Sequence, residues 1–86
     1  MPQPNAYDSW KPLTRFSCLD DAHRLTTALR AEFPAACFEV HGQNNFTWHE
    51  VKTPHLDPRH AAFISGWLSG LAAADLLIGI VVPIDF

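Results

Sequence analysis

Eighty-six residues suffice for one domain and exclude a second. With 48% hydrophobic and 17% charged residues the composition is that of a globular chain, not a disordered one. Six Lys and Arg against nine Asp and Glu leave a net charge of −3, which provides no basic field for phosphates and argues against direct nucleic-acid binding.

Residues 1–12, "MPQPNAYDSWKP", carry three prolines and no apolar periodicity, so they read as an extended N-terminal arm pinned by Tyr7 and Trp10. The single α+β domain is expected over 13–86. Neither a basic nor an apolar leader stretch opens the chain, and Cys18 and Cys37 form no Cys-x-x-Cys pair. The expectation is a reduced, cytoplasmic protein with two small buried thiols.

Leu13 to Ser17 is a short strand candidate. Ser17-x-x-Asp20 then resembles a capping box, and Asp20-Asp21 place negative charge where a helix dipole favours it. The first helix is expected to run to about Phe33. Ala22, Leu25, Leu29 and Phe33 recur at steps of three and four along it, and Pro34 stops it.

Ala36 to His41 and Phe46 to Lys52 read as two strands of a hairpin joined through Gly42-Gln43-Asn44-Asn45. A three-residue loop, Gln43 to Asn45, would set Val40 opposite Trp48. Phe38, Val40, Phe46 and Trp48 would then form the apolar face, with Cys37, Glu39, His41, Thr47 and His49 on the other. A two-residue turn would oppose Glu39 to Glu50, which like charge disfavours. The three-residue register is therefore expected, with an asparagine at its left-handed position. It gathers Cys37, His41 and His49 on one face beside Glu39, within reach of zinc in principle. No second set of ligands, nucleophile or oxyanion device accompanies them, so neither a metal nor a cofactor is assigned.

Pro54 breaks the second hairpin strand. Asp57 is a good N-cap, and Pro58 suits the first helical position, so a second helix is expected over Pro58 to Ala74. The run from Ala61 to Val82 has the length of a membrane span, but Asp75 would cost roughly 3 kcal/mol near mid-bilayer. The run also changes character there, from Ala, Leu, Ser and Gly to Ile78, Ile80, Val81 and Val82. A helix followed by a strand, Leu76 to Val82, explains the change, and no membrane association is expected. Gly66, Gly70 and Gly79 are expected at packing positions.

The order strand, helix, strand, strand, helix, strand matches ferredoxin-like domains: a four-stranded antiparallel sheet with both helices on one face. This fold hosts many functions and selects none. What stands out is apolar surplus. Between Arg59 and Asp75 there is no charge, and the last strand is apolar on both faces, although a two-layer fold covers only one.

The expected function is a non-catalytic protein-binding module of inhibitor or adaptor type, which occupies a surface on a larger protein complex. A homodimer through the sheet or second helix is also expected. Small chains without catalytic apparatus include phage-borne proteins that block host defence systems such as CRISPR effectors, and size alone places this chain with them. The residues expected to touch a partner are Trp67, Phe63, Ser65 and Ser69 on the second helix and His41, Asn44, Asn45 and His49 on the hairpin, with Trp67 as anchor. The competing reading is a small enzyme or metal protein using His41 and His49.

Overall fold

The computed structural model describes residues 10–42 and 48–83. Six elements follow one another: β1 (Lys11–Phe16), α1 (Leu19–Glu32), β2 (Glu39–Gly42), β3 (His49–Thr53), α2 (Pro58–Ala73) and β4 (Val81–Pro83). The strands form one sheet in the order β2-β3-β1-β4, with every neighbouring pair antiparallel. The class is α+β, as expected. Of the proposed arm over 1–12, residues 1–9 lie outside the described residues, and Lys11 and Pro12 belong to β1.

The core is built where the helical period meets the strand period. Ala22, Leu25 and Leu29 of α1, spaced by three and four, meet Leu13 and Phe16 of β1, Phe38, Val51 of β3 and Ile64 of α2 in one buried cluster. Thr26 lies on the same buried stripe, and its hydroxyl donates back to the Ala22 carbonyl at 2.8 Å, so no polar atom is stranded there. In β1 the pairing with β3 shifts between Pro12 and Thr14, which lets both Leu13 and Thr14 be buried in succession.

The caps explain where α2 begins and ends. Asp57 is its N-cap, with the side chain accepting from the Arg59 N–H at 2.9 Å and Pro58 following in the first turn. At the far end Asp75 adopts φ 56, the left-handed region. The Leu76 N–H reaches the Leu71 carbonyl at 2.9 Å and the Asp75 N–H the Ala72 carbonyl at 3.1 Å, the bonding pattern of a Schellman stop. At 16 residues α2 is too short to span a bilayer, and no helix of the described residues is long and apolar enough to do so.

Several expectations are corrected. The hairpin pairs Glu39 with Lys52, Val40 with Val51, His41 with Glu50 and Gly42 with His49, so its connection is longer than three residues. This register sets opposite charges at one pair and two valines at another, which the shorter loop would not do. The last strand shrinks to Val81–Pro83, because the N–H groups of Ile78, Gly79 and Ile80 bond to the side chains of Asp21 and Ser17, and the Ile80 carbonyl keeps a backbone partner, the Ser17 N–H. Cys18 caps α1 without a side-chain bond, so the capping box does not form. The thiols are free, but Cys18 is only half-buried and Cys37 is exposed. Among the described residues nothing lies within 4 Å of a Cβ placed at Gly66 or Gly70, so these two pack against none of them, whereas Gly79 is tightly enclosed.

Candidate functional site

The segment after α2 is shaped by two side chains that sequence reading assigned to a helix cap. Asp21, in the first turn of α1, is fully buried, and its Oδ2 accepts the N–H groups of Ile78 at 3.2 Å and Gly79 at 2.9 Å. Ser17 Oγ accepts the Ile80 N–H at 2.7 Å, while the Ser17 N–H donates to the Ile80 carbonyl at 2.9 Å. Arg24 stands 3.6 Å from Asp21 Oδ1 and donates both terminal nitrogens to the Leu76 carbonyl at 3.3 and 3.2 Å. These bonds replace the ladder partners that an extended segment outside the sheet lacks.

The clasp requires close approach, and Gly79 permits it. A Cβ at this position would fall on Ser17 Oγ and lie 3.0 Å from Cys18 Cβ and 3.2 Å from the Cys18 nitrogen. Held in this way, the segment alternates. Leu77, Gly79 and Val81 are half-buried, whereas Leu76, Ile78, Ile80 and Val82 project into solvent, 54%, 63%, 65% and 37% exposed. Leu19, 44% exposed at the start of α1, is a further large apolar side chain in solvent. From Leu76 to Ile84 the sequence has no charged residue. The result is an apolar ridge at the β4 edge of the sheet, tied to buried Asp21 and to Ser17 by backbone hydrogen bonds. Isolated apolar residues on a surface need no explanation; a contiguous row of four does.

The residues expected to meet a partner divide differently. Trp67 is half-buried, with its ring edge-on to Phe16 at 6.5 Å, and Phe63 is half-buried, edge-on to Phe33 at 5.8 Å, so both contribute to the protein's own packing. Ser65 and Ser69 are exposed on the side of α2 that includes Gly66 and Gly70. His41 and His49 are both half-buried, but the register separates them. His49 pairs with Phe16 and shares a face with Val51, while His41 pairs with Glu50 on the face of Arg15. Asn44 and Asn45 lie outside the described residues. Among the described residues no group of three His, Cys, Asp or Glu side chains is placed to hold a metal ion.

At the other end of the helices a cleft of about 500 Å³ separates the segment Glu32 to Cys37 from Thr53 to His60. Phe33 and His60 give it one aromatic wall. His60, 3% exposed, sets its ring edge-on to Phe33 at 4.7 Å and to Phe38 at 5.1 Å, and its Nδ1 has no hydrogen-bond partner. Burial pushes the imidazole pKa below its ordinary value of 6.5, nearby Arg59 adds to this, and Asp57 partly opposes it. Asp57 itself is held down to about 2, chiefly by the side-chain hydrogen bond from Arg59, which reaches Oδ2 at 2.6 and 3.0 Å. The Arg59 guanidinium also lies 5.8 Å from the centre of the Phe33 ring.

Sequence reading missed the clasp because its partners are 52 to 63 positions apart. The one local signal was the alternation of Leu76, Ile78, Ile80 and Val82 beside a glycine. Comparison with the models of known families, with curated proteins and with solved structures returned no match.

Proposed function

We propose that the protein is a non-catalytic binding module of inhibitor or adaptor type, which seats its apolar ridge on a larger protein. The carrying observation is the ridge itself: four large side chains held out in solvent on backbone that buried Asp21 and Ser17 Oγ fix in place. Burying one such side chain contributes about 1.5–3 kcal/mol, and a preorganised backbone loses little entropy on docking. We also infer a ferredoxin-like arrangement, supported by β1 and β3 at the centre of the sheet, β2 and β4 at its edges, and one core fed by both helices. The two free thiols agree with a reducing, cytoplasmic location. A host defence complex, such as a CRISPR effector, is one candidate class of partner and rests on chain size alone. The hairpin-histidine enzyme is the weaker reading, because His41 and His49 occupy opposite faces.

A photo-crosslinking residue at position 80, expressed in the source cells, tests the reading. One adduct of defined mass, absent when the probe is moved to exposed Thr27 on α1, is expected. Equal labelling from both positions would show that the ridge is not the contact surface.

A further inference from the structure

The cleft and the ridge lie at opposite ends of the molecule. α1 runs from the clasp at Asp21 to the cleft at Glu32, and α2 returns from His60 in the cleft wall to Ala73 before the ridge. At 1.5 Å per residue, the 14 residues of α1 separate the two by roughly 20 Å. One ligand on the ridge therefore leaves the cleft open.

The charges of the cleft do not cancel. Arg59 is held by Asp57. Arg30, the basic residue in the last turn of α1, is turned away to the Phe38 carbonyl at 2.8 Å and to Glu39 at 3.6 Å. His60 is neutral near pH 7, its pKa lowered by burial. That leaves Glu32, exposed and without an ion pair among the described residues, at the helix end where the dipole is already negative and an acidic side chain is disfavoured. The lining adds apolar Pro34, Ala36, Pro54 and Leu56, the last of them 41% exposed, beside polar Thr53 and His55. A cation on an apolar chain complements both features, and an anion opposes one of them.

We propose that this cleft is a second binding site, which takes a short extended peptide segment with one basic side chain flanked by apolar ones. The basic group pairs with Glu32 and the final carbonyls of α1, and the flanking side chains lie against Pro54 and Leu56. With the ridge engaged elsewhere, the protein bridges two polypeptides, which makes it an adaptor rather than a simple blocker. The site stands independently of the ridge.

The test is a titration of the full ¹⁵N-labelled chain with acetyl-Leu-Lys-Leu-amide, and with the same peptide carrying Glu in place of Lys. Saturable shifts confined to the amides of Ala36, Cys37, His55 and Leu56 are expected for the lysine peptide alone. Glu32→Gln should weaken binding about threefold or more, the order of one half-exposed ion pair, and Leu56→Ser should weaken it as well. Ile80→Asp should leave it unchanged, so that loss of the ridge reading and loss of the cleft reading are told apart. Absence of saturation, equal binding of the two peptides, or unaltered affinity in Glu32→Gln would each overturn the proposal.

Discussion

Asp21 shows how one buried carboxylate can shape a segment that no strand pairs with. It is fully buried, yet it satisfies two backbone N–H groups that no strand would otherwise serve. Asp21→Ala should cost about 2 kcal/mol by orphaning them, and Asp21→Asn roughly half as much, since the amide keeps one acceptor. Urea midpoints of the two variants check the ranking. Gly79→Ala should cost about 1–3 kcal/mol, because the new methyl meets Ser17 and Cys18 and the clasp must open to admit it. His60 gives a pH signature. Its folded pKa is below the unfolded 6.5, so below that value the unfolded chain binds more protons. Stability is therefore fully present above pH 6.5 and falls as pH drops toward the folded pKa. Comparing unfolding at pH 7.5 and 5.5, parent against His60→Phe, should show a smaller acid loss in the variant. An equal loss would place the titrating group elsewhere.

At the level of elements, the parts visible in the sequence are those set by neighbours along the chain. Both helices could be located because apolar steps of three and four, Pro34, Asp57 and Pro58 act within a turn or two of themselves. The hairpin register could not be read, because it depends on how residues 43–47 close the connection, and a change of one position exchanges the faces. This is why His41 and His49 part company and the expected ligand cluster dissolves. The short last strand had a similar cause: alternation in Leu76 to Val82 announced an extended segment but not that Asp21 and Ser17 would replace its ladder. The end of α2 offers a clean check. Asp75 sits in the left-handed region, so Asp75→Gly should raise stability by about 0.5–1 kcal/mol in thermal unfolding. At the other end Asp57→Ala should lower the melting midpoint, because the Arg59 N–H loses its acceptor.

On the scale of the whole molecule, an apolar surplus was legible, and its place in the segment Leu76 to Val82 was legible as well, but not which of its side chains stay exposed. The uncharged second helix drew attention to Trp67, and the fold turns that ring toward Phe16 while leaving the segment after the helix in solvent. A domain of this size has little core to spare, yet four large apolar side chains stand outside it, and on the proposed reading they are the surface that meets another protein. The most direct measurement is capture from lysate of the source cells with three tagged proteins: the parent, Ile78→Asp with Ile80→Asp, and His23→Ala on the exposed side of α1. All three should melt alike, since none of the altered side chains is buried. One partner should be retained in fixed stoichiometry by the parent and by His23→Ala, be lost from the ridge variant, and rebind the parent when both are purified. Equal retention by the ridge variant, or no partner on the parent, would contradict the central claim.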